Sequence, residues 1–321
     1  MRKPNFFIVG FGRSGSTSVY NYLRQHPDIY MSPVKEPNFF STDIKFGSKR
    51  EICASSLDEY LALFKDAGDE TIVGEASPLY VASGAAARNI RAFSPAAKIL
   101  ILLRNPVDFL YSWHTHGVHH GYETERDFQR ALAAEQARTS RNYVHERGLD
   151  ITYRYRYVVR RSPHFVKQYF DLFGLDNVHL VVFDRLKSAT REVYGEILEF
   201  LGVDTDFMPE FLVYNSTKAY SRVRARWLND CFSKYGDTLT KARQTFFSQP
   251  LGLRRFVVGK LTRAKVEWPS LDPALRSELT TEFTPVIKRL EEITRLNLSH
   301  WYESAGLSSS EKRPVKVGSL S

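Results

Sequence analysis

Eight residues near the start of the chain, Gly10-Phe11-Gly12-Arg13-Ser14-Gly15-Ser16-Thr17, have the composition of an anion cradle. Gly10 and Gly15 stand at the Gly-x4-Gly spacing of a P-loop, where glycines let backbone N–H groups converge on a charged oxygen. A helix starting near Ser16 adds its positive end and its unpaired donors, and Arg13 adds a cation from within the loop. Where nucleotide hydrolases carry lysine followed by Ser or Thr, this chain has Ser16-Thr17. Without that lysine, and with no Asp-ended strand ready for magnesium, the loop supports phosphate binding and not triphosphate hydrolysis. Taken alone, it also reads as a Gly/Ser turn between strand and helix that binds nothing.

A second candidate follows the apolar run Lys98–Leu103, in Arg104-Asn105-Pro106-Val107-Asp108, with Ser112 farther on. Ligands of open parallel sheets bind beyond the carboxyl ends of the strands. Pro106 suits the first turn of a helix that carries Ser112, so Arg104 and Ser112 would grip one phosphate from two sides. A helix-capping salt bridge between Arg104 and Asp108 is the alternative. Two such sites on neighbouring strands call for a ligand with two separated phosphates.

Other residues have weaker claims. His114, His116, His119 and His120 cluster, but no cysteine or suitably spaced carboxylate pair accompanies them, so a metal site is not expected. Lining an acceptor cleft or lying at the surface suits them better. Tyr153-Arg154-Tyr155-Arg156-Tyr157 mixes charge and rings as nucleic-acid binders do, yet fits a cover over the sheet or a channel wall. Trp113 suits stacking on a sugar or purine, or a place in the core. Glu75, at a strand tip, is either catalytic or an orienting partner for Arg13; the orienting role is favoured.

The elements that must position these residues are legible as alternating strands and helices. Phe6–Val9, Thr71–Gly74, Lys98–Leu103 and Val178–Phe183 are short apolar runs of buried parallel strands. Helical character covers Thr17–Gln25, stopped by His26-Pro27, and recurs through Leu57, Tyr60, Leu61 and Phe64. Ser162-Pro163 reads as an N-cap with proline at the first helical position, Gly174 closing that helix. Thr190 reads as the cap of a helix ended by Gly202. The pattern predicts an α/β protein, a P-loop-like three-layer fold with a central parallel sheet flanked by helices. Residues 1–305 are expected to form one domain, and 306–321 a disordered polar tail.

The chain has 321 residues, near the upper limit for one hydrophobic core. Its formal net charge of +9 favours anionic partners such as nucleotides, nucleic acid, acidic glycans or a membrane surface, or is simply solubility charge. Cys53 and Cys231 are the only cysteines, too few for a zinc pattern or a disulfide framework. No apolar stretch approaches membrane length. A soluble, cytoplasmic protein is expected.

In these motifs the chain closely resembles the sulfotransferases that use 3′-phosphoadenosine 5′-phosphosulfate (PAPS), nearest the heparan-type and bacterial carbohydrate branch. Gly10 to Ser18 resembles that family's 5′-phosphosulfate loop, and Leu103 to Asp108 with Tyr111-Ser112 its 3′-phosphate segment. His26-Pro27, Lys35-Glu36-Pro37-Asn38-Phe39-Phe40 and Gly74-Glu75-Ala76-Ser77-Pro78-Leu79-Tyr80 match in order, over roughly residues 5–205. The resemblance implies that Arg13, Ser14, Gly15, Ser16, Thr17 and Ser18 hold the 5′-phosphosulfate and that Arg104 and Ser112 hold the 3′-phosphate. Lys218 and Arg222 resemble a late basic loop closing over the nucleotide. Glu36 aligns with the general base of the heparan-type enzymes, with His116 as the fallback, and Arg13 is the charge stabiliser. Arg13 stands where those enzymes often carry lysine, and Ala76 where they tend to have another.

The implied activity is in-line transfer of a sulfuryl group from PAPS to an acceptor hydroxyl or amine, with carbohydrate favoured, no metal required and no nucleic-acid partner. The competing readings are a P-loop kinase or NTPase, favoured by the loop spacing, and a non-catalytic module for acidic glycans, favoured by net charge alone.

Overall fold

The computed structural model describes residues 2–48, 54–146, 148–212, 221–222, 264–265 and 268–303. Five strands form one sheet: β1 (Phe6–Gly10), β2 (Ile29–Met31), β3 (Ile72–Ala76), β4 (Lys98–Leu103) and β5 (Val178–Val182). All neighbours are parallel and the spatial order is β2-β3-β1-β4-β5. β1 and β4 lie at the centre, paired from Phe6 with Lys98 to Gly10 with Leu102. The helices are α1 (Ser16–Leu23), α2 (Leu57–Ala62), α3 (Ala86–Phe93), α4 (Pro106–His120), α5 (Phe128–Ala133), α6 (Glu135–Ser140), α7 (Tyr155–Phe173), α8 (Phe183–Ser188), α9 (Thr190–Leu201) and α10 (Pro273–Thr294). A two-residue antiparallel pair joins β6 (Ser221–Arg222) to β7 (Ala264–Lys265). Among the described residues no helix is long and apolar enough to cross a membrane.

Because successive strand residues face opposite sides, each central strand feeds two cores. Phe7, Val9, Ile99, Ile101 and Leu103 pack against the apolar faces of α3, α4, α7 and α10. Phe6, Ile8, Leu100 and Leu102 pack against α1 and α9. Burial on both faces explains why these strands read as continuous apolar runs instead of alternating ones. The expected central parallel sheet flanked by helices is present.

Several boundaries differ from expectation. The Ser162-Pro163 helix begins at Tyr155, and Ser162 is not its cap. Proline has no N–H to bond the Val159 carbonyl one turn earlier, and the Ser162 hydroxyl donates to that carbonyl at 2.7 Å. The helix therefore continues through Pro163, with Val158, Val159, Phe165, Val166 and Tyr169 buried along it. Thr190 is the first helical residue of α9, after Ala189, and its hydroxyl donates back to Leu186 instead of capping. α1 ends at Leu23, β3 extends to Ala76, and Phe183 opens α8. β2, only three residues long, and α10 have no counterpart in the sequence reading.

The strand order sets the position of the site. From β1 the chain moves outward to β2 and back through β3, then crosses to β4 and β5 on the other side. The connections leaving β1 and β4 thus diverge, opening a crevice at their carboxyl ends, where such sheets bind ligands.

Candidate active site

The turn after β1 is held by its neighbours. The Phe11 amide donates to Leu102 of β4 at 3.0 Å. Gly15 precedes α1 with φ +90°, a left-handed conformation that glycine adopts without strain. Arg13, which is not glycine, also has positive φ, +67°. At Gly12 a Cβ would lie 2.2 Å from the Trp113 ring of α4, so the turn and that helix touch where no side chain fits.

Arg104 leaves β4 and turns into the same crevice. Its guanidinium donates to the Arg13 carbonyl and lies 4.7 Å above the Phe183 ring. Burial pushes its pKa below the usual guanidinium range; Asp108 and Asp184 oppose the shift and Arg13 adds to it. Arg13 in turn donates from Nε to the Ser112 hydroxyl at 3.3 Å. The alternative capping pair does not form: Asp108 is ion-paired with Arg276 of α10, and Asn105 caps α4, accepting from Val107 and Asp108.

Arg13, Arg104 and Ser112, expected at two ends of a ligand, are thus one connected group at the start of α1 and α4. Two atoms there are buried without a hydrogen-bond partner, the Ser14 hydroxyl oxygen and Arg104 Nε. Buried polar atoms are nearly always paired, so these two fit an anion with several acceptor oxygens. Arg13, Arg104 and the first turn of α1 are the groups that could hold such an anion.

A cavity of about 540 Å³ opens from this group. Gly12, Arg13, Gly15, Ser16, Thr17, Ser18 and Arg104 border it, together with Lys35, Glu36, Trp113, His116 and Tyr122. Ser14 and Ser112 are buried just outside its lining. Lys187 and Thr190 also reach the cavity. Their position was missed in the sequence, although they follow β5 as Arg104 follows β4, and the same carboxyl-end rule points to them. Lys218 lies outside the described residues, and so does the side chain of Arg222.

Glu36 sits in a constrained loop. Its φ is +62° and that of Asn38 is +54°, values that non-glycine residues rarely adopt. The Glu36 amide donates to the Ala76 carbonyl at 2.9 Å, and Asn38 Nδ2 donates to the Glu36 carbonyl at 2.8 Å. Lys35 Nζ donates to Glu36 Oε1 at 2.7 Å. The Glu36 side chain keeps 38% exposure, so the carboxylate remains accessible.

The histidines divide. His114 is buried, with Nε2 bonded to the Glu125 carbonyl. His116 faces the cavity, and burial, aided by His120, Arg13, His119 and Lys35, lowers its pKa to about 3. Its imidazole is therefore neutral near pH 7 and a weak proton acceptor. Among the described residues no group of three or more His, Cys, Asp or Glu is placed to hold a metal ion. Of the Tyr-Arg segment, Tyr153 and Tyr155 are buried and Tyr157 is exposed.

Glu75 does not orient Arg13. It is fully buried in β3 and its carboxylate is bonded by the Tyr60, Tyr80 and Ser77 hydroxyls. Burial raises its pKa to about 7, against the effect of those three bonds.

Comparison with known proteins agrees with this geometry. A family model described as "Sulfotransferase domain" matches residues 3–234. The chain is 24% identical over 209 residues to a bifunctional heparan sulfate N-deacetylase/N-sulfotransferase 1 of Caenorhabditis briggsae, covering 65% of this chain and 23% of that one. It is 26% identical over 223 residues to heparan sulfate glucosamine 3-O-sulfotransferase 6 of Homo sapiens, covering 68% and 58%. The chain thus spans less than two thirds of either relative. The crystal structure of a sulfotransferase from Alicyclobacillus acidocaldarius superposes with a TM-score of 0.69 at 30% identity, covering 94% of this chain and 99% of that one.

Proposed function

The chain belongs to the sulfotransferase domain family, and from that premise we propose that it transfers a sulfuryl group from PAPS to a hydroxyl or amine of an acceptor, with a carbohydrate as the acceptor class. The relatives' names support the carbohydrate, since two of them act on heparan sulfate. The ring-bearing lining of Trp113, His116 and Tyr122 suits contact with a sugar ring.

One observation carries the reading. Two guanidinium groups, beside buried polar atoms without a partner, border the same cavity as an accessible carboxylate. The donor, when bound, supplies a sulfuryl group activated by its bond to phosphate. Arg13, the turn amides and the positive end of α1 hold the charge that grows on the departing phosphate oxygen. Arg104, bonded to the Arg13 carbonyl, holds the second phosphate, and Ser112 steadies Arg13 from behind, so that the donor's direction relative to the acceptor is fixed. Glu36 removes the proton from the acceptor hydroxyl or amine as the new bond to sulfur forms. His116 is too weak a base for that task, and its neutral ring serves as a hydrogen-bond partner for the acceptor.

Two measurements test the proposal. Adenosine 3′,5′-bisphosphate at a hundred times its dissociation constant should stabilise the protein by about 2.7 kcal/mol in a thermal shift. ATP with magnesium should do less, and preference for ATP would point to a kinase. Glu36→Gln should reduce turnover of labelled PAPS to a small residual rate while leaving bisphosphate affinity nearly intact. Parallel loss of both would remove Glu36 from its role.

A further inference from the structure

We propose that Glu75 is a positioning residue for Glu36, acting through two hydroxyls that face the Glu36 loop. This rests on the reading of Glu36 as the base.

The carboxylate of Glu75 accepts three hydrogen bonds. Tyr60 and Tyr80 donate to Oε1 at 3.0 and 2.8 Å, and Ser77 donates to Oε2 at 2.6 Å. Two of these hydroxyls are also acceptors. The Asn38 amide donates to Ser77 Oγ at 3.1 Å, and the Phe40 amide donates to the Tyr80 oxygen at 3.3 Å. A hydroxyl has one hydrogen to give. Because Ser77 and Tyr80 give theirs to Glu75, their lone pairs turn toward the loop. In its ionised form Glu75 only accepts, and so fixes the direction of both relays. An amide in its place would set an N–H against one hydroxyl and reverse that relay.

The loop so held is strained. Glu36 and Asn38 both have positive φ, a conformation that persists only where surrounding contacts over-determine it. The Asn38 and Phe40 amides, together with the Glu36 amide on Ala76, supply three anchors within five residues. Among the described residues no cation contacts Glu75. Burying a carboxylate on hydroxyls alone is a poor way to stabilise a core, where an apolar side chain of similar size serves better.

The test is kinetic. Glu75→Gln should lower kcat by about tenfold to a hundredfold, the loss of one or two buried hydrogen bonds, with bisphosphate affinity within about twofold of the wild type. Ser77→Ala, a smaller change that removes only the Asn38 relay, should lower kcat by about threefold to tenfold. Should Glu75→Gln fail to fold, Ser77→Ala carries the test. In a Glu36→Gln background neither substitution should slow the residual single-turnover rate further, because a positioning residue has nothing left to position. Losses that multiply in that background, or bisphosphate affinity falling in step with kcat, would show a general structural role and overturn the inference. Wild-type turnover in Glu75→Gln or Ser77→Ala, beside a nearly inactive Glu36→Gln, would overturn it too and leave the base intact. Wild-type turnover in Glu36→Gln would instead sink the base assignment.

Discussion

Arg104 does two things that a lysine would do poorly. Its planar fork donates to the Arg13 carbonyl and stacks over Phe183 while keeping Nε for a further partner. Arg104→Ala should weaken bisphosphate binding by about one to two orders of magnitude, measured by calorimetry, because it removes charge-assisted bonds to phosphate. Unchanged affinity would reject the second anion site. At this scale the sequence was informative where residues stand just beyond a strand: Arg13 and Arg104, with Ser112 on the helix that follows, were singled out, and the structure brings the three into contact. It was uninformative for Glu75. The partners of that carboxylate include Tyr60, which arrives from a separate helix, and no local spacing encodes which way a buried hydroxyl points.

Among the elements, the contact between the phosphate turn and α4 decides how closely two halves of the cleft approach. The turn fits only because Gly12 leaves room for the Trp113 ring, whose Nε1 is fastened to the Thr152 carbonyl at 3.2 Å. Gly12→Ala should push the turn and the indole apart and reduce bisphosphate affinity by about tenfold, read by the same titration. Adding Trp113→Ala should restore much of the loss, since the two effects share one contact; wild-type affinity in Gly12→Ala alone would show that the contact does not matter. Strands β1 and β4 were legible because burial on both faces makes them almost uniformly apolar. The start of α7 was not. Ser-Pro is a common opening for a helix, and only the bond from Ser162 to Val159 reveals that this one passes through. β2 escaped notice because three residues give no period to read.

For the molecule as a whole, α10 closes the sheet's second face. Arg156 and Arg160 of α7 both meet Glu282, and Leu279, Phe283 and Ile287 are completely buried in the core shared with β1 and β4. The sequence places a helix in none of this region, yet that core depends on it. We expect the sheet and α10 to unfold together as one domain. Phe283→Ala should destabilise by about 3–5 kcal/mol in denaturant, with one transition followed by tryptophan emission and by far-UV circular dichroism alike. Two separate transitions would mean that α10 belongs to an independently folding unit.

Arg13 and Arg104 are joined although 91 residues separate them along the chain. The two guanidinium groups come together only when β1 and β4 lie side by side. On the proposed function, the full grip on the nucleotide therefore exists only in molecules whose central sheet is complete. Once bound, the nucleotide acts as a clasp across the two middle strands, drawing the folding equilibrium toward the finished molecule by mass action.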